Sequence, residues 1–365
     1  MRDPKEELGQ LVARLGQLNA TMGQLQADVA RLRSLYDDLR ARVESLGQAG
    51  SDVERLRALC LELFAQVGGR DPMRENQVKE ALLTDTPCRS DRSLQVYVGL
   101  SEDLGPLAAR LFESYAVEAE RTPTSIGISG GRTIGRMMES VRGNYGEKLW
   151  LIPLSGSRLP KDVRISVNTI IGGFCSRPGR AEVRAWQLPL DPRVRAEIDD
   201  DTYERVFGAE LRSYYINDPH RRQDDPLAVH YAFTGIGSLD ETSAVPRLRR
   251  LRGVRLPAQV VGDMLDWPID EHGNVLADEP PDDPVRRYIV GVRPDELQKG
   301  RQQGQGNLKK VVVVAGAAGV TVTKERAVLA AWRGGLFDAL VTDVVTADRI
   351  VGLVPARAHS VDFRR

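Results

Sequence analysis

The sequence predicts an α/β protein: a doubly wound, mostly parallel sheet preceded by a long N-terminal coiled-coil helix. Three observations predict it. From about Leu94 onward, short apolar runs alternate with helix-patterned segments, the signature of a parallel sheet with helices on both faces. Residues 311 to 351 give the clearest instance. The apolar run Val311 to Val314 meets a Gly/Ala turn and a Lys-bearing amphipathic segment. A second run, Phe337 to Val341, then ends in Thr342-Asp343 before another helix. Third, the first fifty residues carry an apolar residue at alternating spacings of three and four, from Leu8 to Leu46.

That N-terminal pattern places leucine at Leu11, Leu18, Leu25, Leu32, Leu39 and Leu46, the d positions of a heptad repeat. A stripe of this length needs a partner helix, so it predicts self-association through a coiled coil. Gly47 to Ser51 interrupts it. Val53, Leu56, Cys60, Leu63 and Val67 continue a second amphipathic stretch, which Gly68-Gly69 closes. Residues 70 to 92 are polar and mixed, and read as a linker or a small helical connector. The expected organisation is therefore coiled coil 1–50, helical connector 51–92 and α/β domain 93–365.

Within the α/β part the expected strands are Leu94–Val98, Ser125–Ile128, Leu149–Leu154, Val183–Leu188 and Ala228–Phe233, with the two near the C-terminus. Expected helices are Leu104–Ala119, Ile134–Val141 and Val167–Phe174. Residues 278–286 and 300–307 read as surface loops, being Pro- and acid-rich or Gly- and Gln-rich.

Composition excludes some classes of function. The chain has 51 basic and 51 acidic residues in 365, so no overall charge draws it to nucleic acid or an anionic membrane. Cys60, Cys88 and Cys175 lie too far apart for a redox or zinc motif, and four histidines form no cluster. No cofactor or metal is expected. No segment is apolar enough to span a bilayer, the N-terminus does not read as a signal peptide, and a cytoplasmic location follows.

In an open α/β sheet, ligands sit at the carboxyl ends of the strands. Ser129-Gly130-Gly131-Arg132-Thr133 stands there, after a strand and before a helix. Glycine lets backbone amides approach an anion, Ser129 and Thr133 carry hydroxyls, and Arg132 suits phosphate. An ordinary tight turn with a Thr cap explains the same string. Gly237 and Ser238, in Gly235-Ile236-Gly237-Ser238, also follow a strand, where a plain βα turn is the simpler reading. Asp263 is a buried anchor or a ligand-facing carboxylate. Lys324 opens a helix where it reaches a phosphate or stays solvated. Asp343 caps the last helix or accepts from a sugar hydroxyl. The basic cluster Arg247 to Arg255 lacks interleaved aromatics and reads as a solvated face or partner surface.

Taken in order, these strings resemble the sugar-binding effector domain of the SorC family of bacterial transcriptional regulators, related to the DeoR sensor domain. The matching elements are Gly127 to Thr133, Pro153 to Gly156 with Asn168, Gly235 to Ser238, Val261 to Asp263 with Asp270 to Gly273, and Ala315-Gly316 with Lys324. Gly334-Gly335 and Thr342-Asp343 with Thr346-Ala347 complete the set. The resemblance implies a Rossmann-like fold, a phosphosugar or similar small-anion ligand, and homo-oligomers. It places Gly130, Gly131, Arg132 and Thr133 by the phosphate, Lys324 on phosphate or sugar, and Asp263 and Asp343 in the pocket. The chain departs from the family in lacking a recognisable helix-turn-helix. DNA binding is therefore left open, with a protein partner as the other output. An isomerase-like activity is the less favoured reading, because no His or Glu falls within a matched motif.

Overall fold

The computed structural model describes residues 70–86, 94–100, 104–120, 122–155, 164–178, 182–185, 199, 202, 229–239, 256–276, 291–302, 308–316 and 324–354. All belong to one compact unit, residues 69–365. The heptad leucines and the arginine cluster lie outside the described residues.

The strands are β1 (Gln95–Gly99), β2 (Thr124–Ile128), β3 (Leu149–Pro153), β4 (Arg184–Ala185), β5 (Tyr231–Gly237), β6 (Val260–Met264), β7 (Trp267–Asp270), β8 (Lys310–Ala315) and β9 (Ala339–Asp343). The helices are α1 (Pro72–Asp85), α2 (Leu104–Ala116), α3 (Arg132–Ser140), α4 (Val167–Cys175), α5 (Pro294–Gln302), α6 (Glu325–Arg333) and α7 (Val344–Leu353). A 3-10 turn, Val117–Glu120, extends α2.

Seven strands run parallel in the order β1-β9-β8-β5-β2-β3-β4. Reading from β4, the chain steps β4-β3-β2, then reverses to β5-β8-β9, with β1 added beyond β9. This is the Rossmann-like order, and its reversal falls between β2 and β5, paired Ile126 to Tyr231 and Ile128 to Phe233.

The core has two layers because buried parallel strands are apolar on both faces. Along β8, Val311, Val313 and Ala315 join one layer, with residues of α1, α5, α6 and α7. Val312 and Val314 join the other, with α2, α3 and α4. In α2, Leu104, Leu107, Ala108, Leu111 and Phe112 recur at helical spacing and turn one face inward. Phe112 packs edge-on against Phe174 of α4 at 6.1 Å between ring centroids.

Of the two readings open for residues 70–92, residues 72–85 are helical. They pack on the sheet, burying Val78 and Leu82. The Trp332 indole N–H donates to the Leu82 carbonyl at 2.6 Å, tying α1 to α6. The start of α1 also seals the sheet's edge. Asp71 N–H donates to the Val98 carbonyl at 2.8 Å, and Val98 N–H donates to Glu75 Oε1 at 3.1 Å. Backbone groups left open along an edge strand would otherwise invite another chain.

Three expectations need correction. Gly235 to Gly237 is not a βα turn but the end of β5, which continues into an antiparallel pair with β6. The last strand is shifted to Ala339–Asp343, so Thr342 and Asp343 belong to it. Residues 300–302 are the end of α5 rather than loop. The hairpin β6–β7 was not expected at all. It turns on Leu265 and Asp266, at φ 55° and 68°, two left-handed residues in place of the usual Asn-Gly.

Candidate functional site

The topology brings most of the expected site residues to one edge. Residues 129–133 follow β2, Gly237 ends β5 with Ser238 just past it, Asp263 lies on β6 where it meets Gly237, and Asp343 ends β9. Lys324 is the N-cap of α6, the helix after β8. The turn at 129–133 and the end of β5 flank the reversal point.

Ser129 fastens these two together. Its hydroxyl accepts from Gly235 N–H at 3.2 Å and donates to the Gly130 carbonyl at 3.1 Å. Ser129 N–H donates to the Phe233 carbonyl at 3.0 Å. With its one proton committed and 3% exposure, Ser129 is a staple rather than the outward hydroxyl expected for an anion.

The glycine amides are also engaged. Gly130 N–H donates to Ser155 Oγ at 3.2 Å, and Gly131 N–H donates to the Ile165 carbonyl at 2.8 Å. The cradle expected from both glycines is therefore filled by internal acceptors. What stays open lies one step on. Gly131 is the N-cap of α3 at φ 117°, and no side chain caps that helix. A β-carbon built at Gly131 meets nothing within 4 Å, so the turn borders open space. Arg132 is exposed there, and Thr133 is half-buried. An uncapped helix N-terminus attracts negative charge through its first-turn amides and its dipole.

Asp263 lies against the backbone of β5. A β-carbon at Gly237 would stand 1.8 Å from Asp263 Oδ2, so only glycine lets the carboxylate occupy this place. Asp263 is 6% exposed and Ser238 4%. On its other side, β6 meets α6: a β-carbon at Gly262 would stand 2.4 Å from the β-carbon of Ala327.

Asp343 takes the capping role. Its Oδ1 accepts from Thr346 N–H at 2.7 Å, and the residue is fully buried. Its Oδ2 would be 3.0 Å from a β-carbon at Gly316, so the carboxylate reaches across to the end of β8. Beside it, the Thr342 hydroxyl donates to the Ala315 carbonyl at 2.6 Å.

A second polar group gathers at the opposite, amino end of the sheet. Ser125 N–H donates to His230 Nδ1 at 3.1 Å, and the Ser125 hydroxyl lies 2.8 Å from the same nitrogen. An amide can only donate, so Nδ1 accepts and the ring proton sits on Nε2. Burial, with Lys309 nearby, pushes the imidazole down to about 4. Glu118 accepts from Tyr231 Oη and Lys309 Nζ. Burial raises its carboxyl, but those two partners outweigh it and hold it below the ordinary value. The Tyr115 and Tyr231 rings stack at 4.2 Å between centroids. Sequence spacing gave no sign of this group, because its members lie far apart in the chain. Ser125 is wholly buried, which suits a structural clasp and not a nucleophile.

The fold is a doubly wound α/β domain whose strand order reverses between β2 and β5, the place where sheets of this kind take their ligands. The Sugar-bind family, described as "Putative sugar-binding domain", matches residues 90–352. The chain belongs to this family, the sugar-binding domain of SorC/DeoR-type regulators. It is similar in fold to the "Probable sor Operon Regulator" of Shigella flexneri, with a TM-score of 0.50 at 18% identity, over 76% of this chain and 98% of that one. A transcriptional regulator from Streptococcus pneumoniae gives a TM-score of 0.51 at 14% identity, over 76% and 95%. Among the described residues no helix is long and apolar enough to cross a membrane, and no cluster of His, Cys, Asp or Glu is placed to hold a metal.

Proposed function

We propose that this chain is a cytoplasmic sensor of a phosphorylated sugar or similar small anion. The ligand binds over the reversal point between β2 and β5, its anionic group at the start of α3. One observation carries this: α3 begins at the reversal point, has no side-chain cap, and borders open space at Gly131. Arg132 and Thr133 supply charge and a hydroxyl beside it. Asp263, with Gly237 and Ser238, stands where a sugar hydroxyl donates to a carboxylate. Lys324 adds a positive charge from α6. Asp343 orders the far wall through its cap on α7.

Occupancy passes through protomers paired by the heptad segment Leu11 to Leu46. The output is a protein partner or transcription. The Shigella and Streptococcus proteins are regulators by name, which favours transcription. Such coupling requires that the ligand prefer one of two assembled states. Calorimetry with paired sugars and sugar phosphates tests the sensing step, since binding confined to phosphorylated members is the expected result. A mobility shift on the upstream region of its own gene tests the transcriptional output.

A further inference from the structure

The amides that begin the turn after β2 are held from inside the protein by two unrelated segments. Ser155, just past β3, accepts from Gly130 N–H, and Ile165, ahead of α4, accepts from Gly131 N–H. Ser155 is 1% exposed and bridged to Gly291, so its hydroxyl is firmly placed. Gly291 itself fits only without a side chain, since a β-carbon there would stand 2.5 Å from the Leu154 carbonyl oxygen. Ile165 precedes Ser166, the N-cap of α4, and Ile170 of that helix lies against Gly135 of α3. Each acceptor is neutral. A phosphoryl oxygen is the stronger acceptor for the same hydrogen. The open space beside Gly131 gives it a path.

We propose that the turn is self-occluded: Ser155 Oγ and the Ile165 carbonyl hold the Gly130 and Gly131 amides, and a phosphoryl oxygen binds by exchange with them. The proposal rests on the phosphosugar reading above. Exchange has two consequences. The ligand must displace internal bonds, so affinity is lower than the donor set alone would give. Release of Ile165 loosens the entry to α4, which gives occupancy a conformational output within the domain.

The sign of one substitution separates this from simple positioning. A serine that merely positions Gly130 leaves binding weaker when removed. A serine that competes for its amide leaves binding tighter. The test is calorimetry of the full chain and its Ser155→Ala variant with glucose 6-phosphate, fructose 6-phosphate, ribose 5-phosphate and inorganic phosphate. Amide hydrogen exchange over residues 164–175 of the unmodified chain is read in parallel. The exchange account expects Ser155→Ala to bind about three- to tenfold tighter, the worth of one neutral hydrogen bond. It also expects faster exchange at 164–170 when ligand is added. Equal or weaker binding by a folded Ser155→Ala overturns it. So does a ligand-saturated unmodified chain with unchanged exchange at 164–170, a readout that survives if the variant fails to fold. Binding by neither protein overturns the phosphosugar reading itself.

Discussion

The carboxylate of Asp263 rests on the α-carbon of Gly237, directly across the β5–β6 pair. The two residues are one unit. The carboxylate has its position because residue 237 has no side chain, and β6 approaches β5 this closely for the same reason. Gly237→Ala should therefore cost about 1–3 kcal/mol by overpacking and drive the carboxylate from its place. Adding Asp263→Ala should restore much of that stability without restoring binding. A double-mutant cycle by urea unfolding checks the coupling.

The edge seal gives a second test. Glu75 accepts the buried Val98 N–H and pairs with Arg70. Glu75→Ala leaves that amide unsatisfied and should cost about 1–3 kcal/mol. Glu75→Gln keeps an acceptor in place and should cost clearly less. Melting temperatures of the two variants, side by side, decide it.

Stability should fall as pH falls from about 6.5 to about 4. The His230 imidazole, pushed down to about 4 by burial and by Lys309, is neutral when folded and protonates more readily when unfolded. Its contribution is present above its unfolded value near 6.5 and is lost as pH drops towards 4. The loss is on the order of 2 kcal/mol after discounting for the partly exposed ring. Glu118, also lowered, adds in the same direction. His230→Asn keeps an acceptor for Ser125 N–H but does not titrate. Its unfolding free energy should fall less between pH 7 and 4.5 than that of the unmodified chain.

Asp343 separates structure from recognition. Asp343→Asn retains the oxygen that caps α7 and should change stability by less than about 1 kcal/mol, whereas Asp343→Ala should cost about 1–2 kcal/mol. Because Asp343 orders the far wall of the proposed site, Asp343→Asn weakens sugar-phosphate binding at near-normal stability. Thermal melts with parallel calorimetry separate the two effects.

Much of this was legible in the chain. Strands buried on both faces read as continuous apolar runs, so Val311 to Val314 and Leu149 to Leu154 announced themselves. The carboxyl-edge turns followed them. The β6–β7 hairpin did not, because leucine is a rare residue at the left-handed position that Leu265 takes, Asp266 alone is a weak turn signal, and Pro268 argues against a strand. Gly235 to Gly237 read as a turn because glycine is rare in strands. Gly237 answers to Asp263, which arrives from a later strand. The occupancy of the Gly130 and Gly131 amides was equally hidden. Ser155 and Ile165 are unremarkable in sequence and meet the turn only when β3 and α4 are in place. Residues 70–92 left linker and helical connector both open, because α1 buries only Glu75, Val78 and Leu82 and so carries a weak apolar pattern.

Recognition of an anion at the start of α3 is the claim on which the functional account turns. Its most direct test is calorimetric titration of the full chain and Arg132→Ala with a sugar phosphate and with the same sugar lacking phosphate. The account predicts heat for the phosphate ester alone and at least tenfold weaker binding by Arg132→Ala, the scale of a charged hydrogen bond. Equal affinity for both sugars, or for both proteins, would contradict it.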